Sequence, residues 1–420
     1  MGLTLDQALK LAKKKARDGS NKEAELIYRK ILSKFPKNKK AINGVRALSS
    51  KVTQKSLSSR NPHKVQMQEL LNLHSKGQFH KALSKASQLL LEFPNSPDLY
   101  NFIGITNSHL GKLEEAVKAY KKAVIINPNH AEVFNNMGAA LVDQEKLEQA
   151  RTAYKKAIEC KPNYAKAMWN LSGTVGDINE AKSWIEKCLS IDPNYEEAKL
   201  TLCALEYYQG DKNKFNSMLQ SSLSKHPYMR SFLWVFGLPK LPELFFHRWA
   251  LFDRVIELSE KDRPFYEFGV WRGEAFKYLI KTFKKGFGFD TFEGLPEDWD
   301  GFKAGSYSSD GNVPKISGGE FIVGKFEDTL PSFFSTVRPT ASIINLDADL
   351  YSSTICALKY ASPVIDPQTI LIFDEFLMNP NWENDEYKAL EEFCIQNNYE
   401  YEVLAISFST KQVAVRLIGI

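Results

Sequence analysis

In the run Glu267-Phe-Gly-Val-Trp-Arg-Gly273 a carboxylate stands two residues before the first of two glycines spaced four apart. Glycine at a tight turn lets backbone approach a ligand closely, and a carboxylate beside it can pair with a ligand ammonium group. A dinucleotide fingerprint requires GxGxxG, with the second glycine making room for a pyrophosphate. Trp271 holds that place, which disfavours NAD. The next apolar run, Gly286-Phe-Gly-Phe-Asp290, ends in an acid 17 residues after Gly273, placed to accept hydrogen bonds from the two hydroxyls of a ribose. Together the two runs predict an adenosine-containing ligand. Two more runs end in carboxylates, Ile343-Ile-Asn-Leu-Asp347-Ala-Asp349 and Ile370-Leu-Ile-Phe-Asp374-Glu375. A cluster of such hard oxygen ligands suits Mg²⁺ or a similar ion. Helix capping is the competing use for Asp349 and Ser352, but it does not account for the adjacent pair Asp374-Glu375.

These residues need a scaffold that brings strand ends together. From Pro264 onward short β-rich runs alternate with helical stretches, which predicts an α/β domain with a mostly parallel sheet. In such a sheet the ligand crevice lies at the carboxyl ends of the strands. The first strand is expected over Phe265 to Gly269 and the following helix over Glu274 to Phe283. The Gly- and Ser-rich stretch Gly301 to Gly324, with Tyr307 inside it, is long enough for a lid. Residues 228–263, with Trp234, Phe236, Phe245, Phe246 and Trp249, are too apolar for a free linker. They are expected to form a helical connector packed on the sheet or on what precedes it.

What precedes it is periodic. Pro94, Pro128, Pro162, Pro193 and Pro227 are separated by 34, 34, 31 and 34 residues, and twelve positions before each stands Ala82, Ala116, Ala150, Ala181 or Phe215. The spacing resembles the tetratricopeptide repeat, a pair of antiparallel helices whose neighbours stack into a superhelical solenoid. Residues 1–227 are read as this solenoid, interrupted near 39–64 by a Ser/Lys/Asn-rich run and with one helix clipped around Gly173 to Asp177. Asn101, Asn135 and Asn170 recur once per repeat and would line up as a ladder of amides able to pair with an extended peptide. With a core of its own, the sheet is expected to bind its ligand without the repeats.

The runs from Glu267 to Gly273, Gly288-Phe-Asp-Thr-Phe-Glu-Gly-Leu-Pro296, Asp328-Thr-Leu-Pro331, Asp347-Ala-Asp-Leu-Tyr-Ser-Ser-Thr354 and Phe373-Asp-Glu375 resemble those of the macrocin O-methyltransferase family, over residues 264–420. The resemblance implies an α/β Rossmann-like methyltransferase domain with an antiparallel last strand at Gln412 to Ile418; behind the all-α repeat solenoid read from the period, this makes a multidomain chain. It implies Mg²⁺-dependent methyl transfer from S-adenosylmethionine to a hydroxyl, typically on a sugar. Glu267, Gly269 and Gly273, with Trp271 in the same loop, would hold the methionine part of the cofactor and Asp290 its ribose. Asp347, Asp374 and Glu375 would hold the metal. Residues 264–420 contain no histidine, the last being His247, so a carboxylate must serve as base, and Asp347 is the candidate. The other class of function is an interaction scaffold whose α/β part binds a cofactor without catalysis.

Charge separates the same two regions. Residues 264–420 carry 13 Lys and Arg against 23 Asp and Glu, whereas the rest of the chain has a net charge of +15. That basic excess is read as solvated lysine-rich helix faces rather than a nucleic-acid surface. The five cysteines are widely spaced and lack any CxxC pair, the pattern of buried thiols in a reducing compartment. No run of roughly 20 apolar residues offers a membrane span, and a cytoplasmic protein is expected.

Overall fold

The computed structural model describes residues 4–18, 21–35, 38–45, 61–299 and 303–419. Most of the expected interruption near 39–64 lies outside the described residues. The chain divides into two compact units, Met1–Thr106 with Ile125–Pro128, and Asn107–Val124 with Asn129–Ile420. No described helix is long and apolar enough to cross a membrane.

In the first unit, helices Leu5–Arg17 and Asn21–Lys34 pack around Ala12, Ala24, Tyr28 and Ile31. Helices Lys64–Ser75 and Phe79–Glu92 close a second small core on Leu70, Ala82, Ala86 and Leu89. The alanines predicted from the period are fully buried because the paired helices approach at these points.

The second unit begins with helical pairs of the same design. Helices Ala131–Asp143 and Leu147–Cys160 meet where a Cβ on Gly138 would stand 2.6 Å from the Tyr154 ring, so the glycine makes room for the tyrosine. The next pair is the clipped one. Its first helix, Ala165–Ser172, has 8 residues where its predecessor has 13, and Asp177 caps the second, Ile178–Ile191, by accepting the Glu180 N–H at 2.9 Å. Helix Glu196–Tyr208 follows.

Eight strands form one sheet: β1 (Glu243–Phe245), β2 (Phe265–Phe268), β3 (Gly286–Asp290), β4 (Gly319–Val323), β5 (Ile343–Leu346), β6 (Ile370–Phe373), β7 (Glu400–Ser407) and β8 (Val413–Ile418), in the order β1-β7-β8-β6-β5-β2-β3-β4. β8 runs antiparallel to both neighbours and the other pairings are parallel. β2, β5 and β6 are buried along their whole length, as strands covered by helices on both faces must be. The chain winds outward from β2 to β4, then returns to β5 and winds the other way. The switch point therefore falls between β2 and β5, where an open α/β sheet leaves a crevice.

The connector is not purely helical. Helices Pro227–Gly237 and Arg248–Leu258 flank β1, which adds a parallel edge strand beside β7. Nor does the sheet keep its core to itself. One apolar cluster runs from Met168, Ile185, Leu200 and Phe215 of the repeats through Phe232 to Phe268, Leu346 and Phe373 of the sheet. Tyr207 stacks on Phe236 at 4.0 Å, and Phe215 meets the same ring edge-on at 5.1 Å. The expectation that the two parts have separate cores is corrected here.

Candidate active site

A cavity of about 500 Å³ opens at the carboxyl ends of β2, β3, β5 and β6. Of the residues singled out from sequence, Glu267, Gly269, Trp271, Asp290, Asp347, Asp349, Asp374 and Glu375 all line it. Gly273 does not, but its φ of +73° starts helix Glu274–Leu279 in a left-handed conformation that suits glycine. Gly269, at φ +88°, lies so close to the Asp347 carbonyl that a Cβ would overlap it. The β2 turn and the β5 end are thereby held in backbone contact at the switch point.

Glu267 is 1% exposed, and its Oε2 has no hydrogen-bond partner. Burial is the main reason its carboxyl titrates far above the ordinary range, with repulsion from Asp290 and Asp374 adding to it and Asn345 and Arg248 pulling the other way. A buried acceptor left unmet costs free energy that a ligand's donor would recover.

Asp290 is already engaged within the chain. Its Oδ2 accepts the backbone N–H groups of Val270 at 2.7 Å and Trp271 at 2.6 Å, and its Oδ1 that of Phe292 at 2.6 Å. A carboxylate has about four acceptor sites, so room is left for about one hydrogen bond to a ligand, not two. The side chain clasps the glycine loop and holds Trp271 and Phe292 at φ +49° and +59°.

Two of the three expected metal ligands meet side chains of the chain itself. Asp374, 5% exposed, accepts from Arg248 Nη2 at 2.8 Å on Oδ1 and 2.6 Å on Oδ2, and from Gln412 Nε2 at 2.6 Å. Glu375 Oε2 accepts from Lys411 Nζ at 2.8 Å and from Asn379 Nδ2 at 2.9 Å. Among the described residues no three His, Cys, Asp or Glu side chains form a group able to hold a metal ion. Cations of the chain itself thus sit on two of the three expected ligands, Arg248 on Asp374 and Lys411 on Glu375, an arrangement that disfavours Mg²⁺.

The cluster is still rich in carboxyl groups. Asp347 titrates well above its usual range, first through burial and then through Asp374, Asp349 and Glu267, with Arg248 opposing. Asp349 is pushed up to about 8 by burial, Glu375 and Asp374. Glu386, fully buried behind them, accepts the Glu375 N–H at 3.1 Å through Oε2, while its Oε1 has no partner. Neither Asp349 nor Ser352 caps the next helix. Leu350 holds the cap position, Asp349 has φ +59°, and Ser352 donates to Glu297 at 2.8 Å.

Sequence reasoning missed the opposite wall. Ser108, Leu113, Val142 and Asp143 of the repeats line the cavity, as do His247 and Arg248 of the connector. Gly111, at φ +59°, lies against Trp271 and Arg272 with no space for a side chain. Trp249 Nε1 donates to the Val142 carbonyl at 3.4 Å, Lys281 pairs with Glu145 at 2.8 Å, and a Cβ on Gly173 would stand 3.0 Å from Ser409 Oγ. One turn from each of three successive helical pairs thus meets the sheet and its flanking elements. Turns are polar in any repeat, so Asp143 gave no signal; the polar pair His247-Arg248 within an aromatic stretch was the available clue.

Two family models match, one described as TPR repeat at residues 109–145 and 138–172 and one described as tetratricopeptide repeat at residues 170–195. The N-terminal region carries tetratricopeptide repeats. Solved structures similar to the chain include MamA from Desulfovibrio magneticus RS-1, 18% identical over 38% of this chain and 95% of its own, TM-score 0.34. YrrB, described as a TPR protein with an unusual peptide-binding site, is 19% identical over 44% and 97%, TM-score 0.34. Pseudomonas aeruginosa pilF is 14% identical over 54% and 96%, TM-score 0.33. No curated protein matches the chain. Of the expected amide ladder, Asn101 and Asn170 are half-buried and Asn135 is buried. Asn135 is 2% exposed and accepts from Asn170 Nδ2 at 3.0 Å, a bond between repeats in place of one to a peptide.

Proposed function

We propose that this cavity binds S-adenosylmethionine and that the protein is an O-methyltransferase for a small hydroxyl-bearing acceptor such as a sugar. The observation that carries the reading is the buried, unpartnered Oε2 of Glu267 beside the Gly269 backbone at the β2/β5 switch point. An ammonium group satisfies that oxygen, and the close-packed glycine turn accommodates an extended ligand along the strand ends. The sheet order, with β8 antiparallel, agrees with the Rossmann-like methyltransferase topology that the sequence resemblance implies.

When bound, this cofactor supplies a methyl group activated by a sulfonium. The chain's residues do the rest. Glu267 orients the ligand, and Asp290 keeps the loop in shape. Asp347 would take the proton from the acceptor hydroxyl as that oxygen is methylated, and the proton would end on its carboxylate. His247 adds a donor rather than a base. Its Nδ1 accepts the Ala250 N–H at 3.2 Å, and burial lowers its titration to about 4, so the neutral ring carries its hydrogen on Nε2.

Calorimetric titration with S-adenosylmethionine tests the reading, followed by a labelled-methyl screen of sugars and other hydroxyl compounds. A protein that binds no S-adenosylmethionine is instead an interaction scaffold. That role is favoured independently by residues 109–195, which match tetratricopeptide-repeat models, since such repeats imply a protein or peptide partner.

A further inference from the structure

We propose that Arg248 is the built-in cation of this site, standing where the sequence resemblance implies a divalent metal, and that the carboxylate cluster works without one. The proposal deepens the methyltransferase reading and rests on it for its catalytic meaning. Its structural content is independent.

Arg248 is held in place on every side. It opens helix Arg248–Leu258, whose first turn is capped by His247. The next residue, Trp249, stacks on Tyr278 at 4.6 Å and donates to Val142 of the repeats. From that anchored position Nη2 bridges both oxygens of Asp374, while Gln412 fixes Oδ1 from the far side. Burial works against the guanidinium charge, but Asp374, Asp347, Asp143 and Glu375 outweigh it and hold the group more firmly protonated than usual. A divalent ion bound to Asp374 would have to displace this bridge and lie beside a like charge.

The arrangement supplies what a metal would. A guanidinium is permanently charged and has five N–H donors in a planar fork; only Nη2 is engaged by Asp374, and the side chain lines the cavity. The remaining donors are available to an acceptor oxygen that gains negative charge as its proton leaves. Asp143, brought by a repeat turn and exposed to the same cavity, is the acid on the other side of this cation.

The test uses the full chain and Mn²⁺ as the probe, read by calorimetry and by the spin-resonance signal of free ion. The wild-type chain should show no saturable Mn²⁺ binding. Arg248→Met, which leaves Asp374 and Asp347 unneutralised, should gain saturable binding, at least about tenfold tighter than any residual wild-type uptake. Arg248→Gln serves if the methionine variant does not fold, and retention of the wild-type thermal transition is the check in both cases. Saturable Mn²⁺ binding by the wild type that disappears in Asp374→Asn overturns the proposal, and so does a folded Arg248 variant that binds no Mn²⁺. S-adenosylmethionine titrated into the same wild-type sample separates the two readings, because absent cofactor binding removes the methyltransferase reading and leaves the Mn²⁺ result standing.

Discussion

Glu267 carries a buried carboxylate with one oxygen unmet, so in the free protein it is a source of instability. Glu267→Gln removes the tendency to bury a charge and keeps the side chain's shape. It should melt no lower than wild type while binding S-adenosylmethionine about ten- to a hundredfold more weakly, since a hydrogen bond to a charged group contributes about 1.5–3 kcal/mol. Equal affinity in a calorimetric comparison would remove Glu267 from the ligand. His247 makes a second prediction. Its folded value, about 4, lies below the ordinary 6.5, so between these pH values the unfolded chain binds more protons and stability rises with pH. The stabilisation is complete above pH 6.5 and is lost as pH falls towards 4, by up to roughly 3 kcal/mol. Denaturation midpoints across this window should slope less in His247→Asn, which retains a capping side chain; an unchanged slope would place the titration elsewhere.

At the scale of elements, the glycine loop and its acid behave as one part. Gly269→Ala meets both an unfavourable φ and the Asp347 carbonyl, and should lower stability by at least about 1–3 kcal/mol in denaturant titration. Asp290→Ala leaves three backbone donors unclasped. It should therefore lower the melting temperature as well as weaken ligand binding; a loss of binding with an unmoved transition would restore the simple ribose role. Much of this was legible in the sequence. The runs ending at Asp290, Asp347 and Asp374 are short, apolar and stopped by an acid, and their strands fall where those patterns place them. β1 was hidden because three residues give no alternation to read. The partners of Asp374 and Glu375 were hidden for another reason: Arg248 is 126 positions away and Lys411 is 36, and no local pattern encodes which cation a carboxylate will meet.

For the molecule as a whole, the shared core means that the repeats nearest the sheet are not an accessory. A chain starting at Tyr228 would bare Phe236, which Tyr207 and Phe215 otherwise cover, and would open the cavity on the side of Val142 and Asp143. It should aggregate or lose its cooperative transition. In the intact chain, hydrogen exchange of residues 131–160 and of β7 and β8 should report a common opening free energy. Exchange of the repeats by a much lower-energy opening would sink the idea of one cooperative body. The turns that touch the sheet also set a limit on how such an array can change. Repeat proteins ordinarily tolerate the gain or loss of a whole module, because each unit meets only its neighbours. Here the turns around Gly111, Glu145 and Gly173 must each land on a fixed partner, Trp271, Lys281 and Ser409. A 34-residue module inserted at Pro162 would move two of those three contacts out of register at once. This stretch has given up the interchangeability of its units and can vary only as a single surface, turn matched to partner.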